Sequence, residues 1–196
     1  MTARHEITLA DIMPVADYAK VRMNRRKELA ARKKNRRVDV GPHVTFYFEN
    51  FDTMWSQVHE MLYIEKGGEE QARDEIAAYN PLIPKGRELV ATFMIEIDDP
   101  LRRARVLAQL GGVEETAFIE VAGERVAGKP EADQDRTSAE GKASSVQFVH
   151  FAFTDAQAKA FSEPNARVII GLSHPAYNHM AVMSEATRLA LAEDLR

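Results

Sequence analysis

Two stretches of this chain carry side chains whose types and spacing could do chemistry. In QVHEMLYIE (57–65), helical periodicity sets Trp55, His59 and Tyr63 on one line, and the same helix carries Glu60. Glu65 falls one turn beyond Met61 and Leu62, at the border of the apolar stripe, where a carboxylate demands a partner. Such a group can be a general base, a metal ligand or the mate of an arginine. The charge pattern favours arginine, with Arg22 or Arg25 as the expected partner. In SHPAYNHM (173–180), His174, Tyr177 and His179 follow directly on a strand, a common position for functional side chains. His174 and His179 could share a metal if a carboxylate joined them. Alternatively, Tyr177 and His179 cap and pack beneath the last helix. His150 alternates with Val146 and Phe148 and is expected to be a hydrogen-bonded structural residue.

The motifs of several enzyme classes are absent. There is no HExxH, no GxGxxG after a strand, no GxxxxGK[ST] and no GxSxG. The chain has no cysteine, which excludes disulfides, thiolate metal sites and a cysteine nucleophile. No cofactor is expected. A metal-dependent enzyme using His and Glu ligands is the alternative to a binding protein.

Charge is distributed unevenly. From Lys20 to Arg37 there are ten Lys/Arg and one acid, Glu28, a local charge of +9; a net charge of −4 leaves −13 for the rest. Val15, Tyr18, Arg22, Arg25 and Leu29 share one helical face, so the two arginines point toward the body of the protein. An unpaired buried guanidinium is costly, and the acidic body offers partners. The far end of the block, with Arg32, Lys33, Lys34, Arg36 and Arg37, is the candidate contact for outside anions. Nucleic acid is a third, less favoured partner, because no aromatic lies between Tyr18 and Phe46 to contact bases.

These residues need elements to position them. A long helix runs from Pro14 and ends before Gly41-Pro42, followed by a strand in VTFYFEN and helices in DTMWSQVHEMLYIE and EEQARDEIAAY. ELVATFMIEI is the clearest strand, and Asp99-Pro100 starts a further helix. ETAFIEVAGERVAG reads as a hairpin turning at Gly123, and SVQFVHFAFT and ARVIIGLSH as strands around a short helix. The chain is expected to close with a helix from about His179. Residues 129–145 have little to bury and are expected to form a mobile loop. The pattern predicts an α+β fold, with a mixed, largely antiparallel sheet, packed helices and the long N-terminal basic helix. It divides into a helical element, 1–40, and one α+β domain, 41–196. Nothing in it requires a second copy.

With 45% hydrophobic and 29% charged residues, the composition is that of a soluble globular protein. Charged residues in MTARHEITLADIMP argue against a signal peptide, and no run reaches the roughly 18 apolar residues of a membrane span. A cytosolic location is the expectation.

The segments LADIMPVADYAKVR, GPHVTFYFEN, TMWSQVHEMLYIE, YNPLIPKGRELVATFMIEI and HPAYNH…LAEDL resemble an uncharacterised bacterial domain-of-unknown-function family. The resemblance spans nearly the whole chain and brings no catalytic residues. Relatives encoded near rubrerythrin-like and iron–sulfur oxidoreductase genes imply an accessory role in redox or peroxide stress. Together these readings predict a binding or accessory protein. Its polar cleft would combine Arg22, Arg25, Glu60 and Glu65 with His174, Tyr177 and His179 around an anionic ligand or protein partner.

Overall fold

The computed structural model describes residues 4–131 and 141–195. In chain order the elements are α1 (Val15–Lys33), β1 (Arg37–Val40), β2 (Val44–Glu49), α2 (Phe51–Glu65), α3 (Gly68–Tyr79), β3 (Glu88–Ile95) and α4 (Pro100–Leu107). They continue with β4 (Ala117–Val121), β5 (Glu124–Pro130), β6 (Val146–Ala152), α5 (Asp155–Ser162), β7 (Val168–His174), β8 (Tyr177–Val182) and α6 (Glu185–Ala192). No helix among the described residues is long and apolar enough to cross a membrane.

All eight strands join one sheet in the order β1-β2-β3-β6-β5-β4-β7-β8. Every pairing among the described residues is antiparallel, in keeping with the largely antiparallel sheet expected. Its two end strands come alongside each other without forming a ladder, and the sheet curls into a nearly closed barrel. Strand periodicity fills the interior. On β2, Val44, Phe46 and Phe48 point inward; on β3, Leu89, Ala91, Phe93 and Ile95 do the same. Burying each of these large side chains contributes roughly 1.5–3 kcal/mol. The intervening Val90 faces outward and joins a second apolar cluster under α2 and α3, with Ile7, Met54, Val58, Leu62 and Ala72. α2 begins at Asn50, whose side chain accepts from the Thr53 amide (3.1 Å), and ends at Lys66 in a left-handed conformation.

Three expectations change. The basic helix stops at Lys33, and Arg37–Val40 is a strand that puts Val38 and Val40 into the barrel core. Strand alternation in four residues is too short a signal to stand out beside a long charged helix. β7 ends at His174, but it is not the last strand: Pro175 sits in the turn to β8, and the last helix begins at Glu185, not near His179. Of the expected loop at 129–145, residues 132–140 lie outside the described residues. Lys129 and Pro130 end β5, and Ala143 is buried, its amide bonded to the Leu107 carbonyl (3.0 Å).

Candidate functional site: a clasped basic helix

α1 meets the rest of the protein chiefly through α2, and only Tyr18 of its nineteen residues is buried. The Tyr18 hydroxyl donates to Glu60 Oε1 at 2.8 Å. Arg22 grips the same carboxylate with two nitrogens, Nε to Oε1 at 2.9 Å and Nη2 to Oε2 at 2.7 Å. Its guanidinium also lies 4.5 Å from the centre of the Tyr63 ring, and that of Arg25 lies 5.5 Å from the Trp55 ring. The Arg22 guanidinium, reinforced by Tyr18, holds the Glu60 carboxyl below the usual range despite partial burial. Burial and the adjacent Glu60 push the Tyr18 phenol up to about 12. The inward-pointing arginine therefore has its carboxylate, but the mate is Glu60. Glu65 instead accepts from the Gln71 side chain (2.8 Å) at the exposed α2–α3 corner, and Arg25 makes only an exposed pair with Glu28 (3.7 Å).

His59 completes the clasp from beneath. Its Nδ1–H donates to the Trp55 carbonyl (2.8 Å), and Nε2 accepts from the Met13 amide (3.0 Å). This pairing needs a neutral ring, and burial lowers its pKa. Trp55 Nε1 donates to the Asp11 carbonyl (2.9 Å), so the segment leading into α1 is tied down at two points. Tyr18, Trp55, His59 and Tyr63 form one ring cluster, with Tyr18 and His59 centroids 4.9 Å apart. Every aromatic in this region is thus committed to the α1–α2 contact.

The five expected polyanion contacts divide. Arg36 is 7% exposed and fully engaged: it donates to the carbonyls of Phe48 (3.1 Å) and Glu49 (3.1 Å) and pairs with Asp194. It closes the end of the barrel where α6 packs and is not available to an outside anion. Arg32 pairs with Asp52 at the start of α2. Lys33, Lys34 and Arg37 have no carboxylate at salt-bridge distance among the described residues; Arg26 and Lys27 join them. The sequence pattern does not single out these last two, because the densest charge lies further along the chain. Their spacing from Lys33 and Lys34 is seven residues in each case, two helical turns on the same face.

His174, Tyr177 and His179 occupy a different place. No hydrogen bond, ion pair or ring contact among the described residues joins them to the Arg22–Glu60 group. The Tyr177 hydroxyl donates to the Val40 carbonyl (2.8 Å) and accepts from the amides of His43 (2.9 Å) and Val44 (3.1 Å). It thereby fastens β8 to the β1–β2 turn across the barrel seam. Gly41, at φ +69°, lies under it; a Cβ there would stand 2.6 Å from His179 Cγ. His174 accepts from the Ala176 amide at Nδ1 (3.2 Å) and faces the Gly111 carbonyl through Nε2 (3.3 Å). No three His, Asp or Glu side chains among the described residues converge so as to hold a metal ion.

A charged bridge on the outer barrel face completes the inventory. His150 lies between Glu88 (Nδ1–Oε2, 3.4 Å) and Glu131 (Nε2–Oε2, 3.0 Å). Glu88 chiefly, with Glu131, raises the His150 pKa against the effect of burial. The expected hydrogen-bonded structural histidine is what the structure shows; its carboxylate partners, one on β3 and one just after β5, lie 62 and 19 residues away in the chain.

The model of a family described as a protein of unknown function, DUF3501, matches residues 6–195. A crystal structure of a protein of unknown function from Burkholderia pseudomallei is 35% identical, with a TM-score of 0.89 over 97% of this chain and 99% of that one. No curated protein matches the chain.

Proposed function

The chain belongs to the DUF3501 family, and we propose that it is a binding protein that presents the solvent face of α1 to an anionic partner. The observation that carries this reading is the division of labour on α1. Arg22 and Arg32 are matched by Glu60 and Asp52 of α2, while Arg26, Lys27 and Lys33, with Lys34 and Arg37 just beyond the helix, have no carboxylate at salt-bridge distance among the described residues. Unpaired like charges repel one another and weaken a helix modestly. An outside anion relieves that repulsion and gains steering from the local field.

The test is a titration of the full-length protein with long-chain inorganic polyphosphate by calorimetry at several salt concentrations. Binding is expected to weaken steeply with salt, with a log–log slope of about −3 to −4 for five engaged cations. A Lys27→Glu/Lys34→Glu variant should bind at least about tenfold more weakly at low salt. No heat of binding at low salt, or an affinity unchanged in the double variant, overturns the reading.

A further inference from the structure

The geometry points to a binding site for a small zwitterion, a free amino acid, at the end of the barrel closed by Arg36. A cavity of about 450 Å³ lies there between the end of α1, the first turn of α2 and the end of α6. That volume falls within the roughly 300–1,000 Å³ of small-molecule sites. Three polar groups on its wall make no hydrogen bond or ion pair among the described residues: the Asn35 side-chain amide, Asn50 Nδ2 and the Glu193 carboxylate. Asn50 uses its oxygen to cap the Thr53 amide (3.1 Å), which leaves the nitrogen for a ligand. Asn35 is fixed in the turn after α1 by its own amide, bonded to the Arg32 carbonyl (3.2 Å).

The cavity is divided by charge. On the α1–α2 side stand the Arg32 guanidinium, the two amide side chains and the positive end of the α2 dipole. Arg32 pairs with Asp52 through one nitrogen and keeps further N–H groups for a second acceptor. On the α6 side stand Glu193 and the negative end of the α6 dipole, with Asp194 beside it. Burial raises the Asp194 pKa, Arg36 opposes the rise, and Glu193 and Asp52 add to it. A ligand with one carboxylate and one ammonium satisfies both sides. Its carboxylate accepts from Arg32, Asn35 and Asn50, and its ammonium donates to Glu193. Leu29 and Ala190 give a small apolar wall for side-chain methylenes.

Ligands of one sign fit less well. A phosphate would lie against Glu193 and Asp52 as well as Arg32, and a simple amine would lie against Arg32. No aromatic ring among the described residues lines the cavity to stack a nucleobase. The site is separate from the outward cations of α1, so it stands or falls apart from polyphosphate binding.

The experiment is thermal denaturation of the full-length protein with each standard amino acid in turn, followed by calorimetry on any that stabilise. At least one is expected to raise Tm by roughly 5–11 °C at about a hundredfold excess over its Kd. Its N-acetyl and α-carboxamide derivatives each lack one of the two charges and should bind at least about tenfold more weakly. Glu193→Gln and Asn35→Asp should each weaken the free amino acid about tenfold, the first by removing the partner of the ammonium and the second by repelling the carboxylate. Neither side chain has a hydrogen bond among the described residues to lose, so both variants should keep the circular dichroism of wild type. A site for a simple cation would instead be strengthened by Asn35→Asp, and a site for a simple anion by Glu193→Gln. No stabilisation by any amino acid, undiminished binding of either derivative, or tighter binding in either variant overturns the inference.

Discussion

Removing a single oxygen, in Tyr177→Phe, should loosen the barrel seam. The hydroxyl serves three backbone groups of the β1–β2 turn, at 2.8, 2.9 and 3.1 Å. Val40 and Val44 are 0% and 1% exposed, so the Val40 carbonyl and the Val44 amide cannot turn to water once the hydroxyl is gone. The His43 amide is less enclosed and can hydrate. An unsatisfied buried polar group costs about 1–3 kcal/mol, so the two enclosed groups imply a loss of roughly 2–6 kcal/mol. For a chain of this size each kcal/mol moves Tm by roughly 2–4 °C, which predicts a fall of about 4–24 °C. Thermal melts by far-ultraviolet circular dichroism and urea unfolding measure both quantities. Tyr63→Phe is the control, since its hydroxyl makes no hydrogen bond among the described residues, and it should stay within about 0.5 kcal/mol of wild type. Burial raises the Tyr177 pKa, so the bond it donates to Val40 is fully present below the ordinary phenol value of about 10 and is lost as pH rises through the higher folded value. A Tyr177→Phe melt within 2 °C of wild type would show that ladders and core packing hold the seam without the hydroxyl.

Asp194→Ala leaves the buried Arg36 guanidinium with carbonyl partners only and is expected to cost about 3–5 kcal/mol in urea unfolding. The His150 pKa is raised, so its contribution is present in full below the unfolded value of about 6.5 and disappears as pH rises through the folded one. The stability gap between wild type and His150→Gln should therefore be widest near pH 5.5 and shrink by pH 9; a gap that is flat or widens contradicts the bridge. Glu60→Gln removes the charge that clasps Arg22 and Tyr18 without touching the solvent face. It should raise hydrogen exchange across α1 while leaving barrel amides unchanged, and equal exchange in the two proteins would mean that the ring cluster alone holds the helix.

The legible parts of this fold are those whose signal is local. Alternation in ELVATFMIEI marks β3 with its inward residues correct, because a central strand with one face in the barrel and the other under helices shows period two over eight residues. The helix start at Asp99 follows from a side chain that bonds within three residues, whereas α2 is capped by Asn50, two residues before the expected start at Asp52. β1 and β8 were hidden for a different reason. Both are short and lie at the ends of the sheet, and what holds their far sides is a side chain from a distant part of the chain: Arg36 to Asp194 at one end of the seam, Tyr177 to the Gly41 turn at the other. No window of sequence contains those pairs. The same limit explains the site. That Arg22 points inward is a matter of helical period and was readable; that its partner is Glu60 and not Glu65 depends on how two helices align, which periodicity does not encode.

The clasp and the seam bear on one another through α1. Its first half is fixed to α2 by Tyr18 and Arg22, its second half by Arg32 to Asp52, and the chain that leaves it enters the barrel at once through Arg36. A helix held along α2 on a nearly closed barrel keeps Arg26, Lys27 and Lys33 at fixed spacing. A partner that reads spacing gains from this, because the ordering cost on this side has already been met by folding. A partner that reads charge alone gains little, since a flexible basic arm would serve it as well.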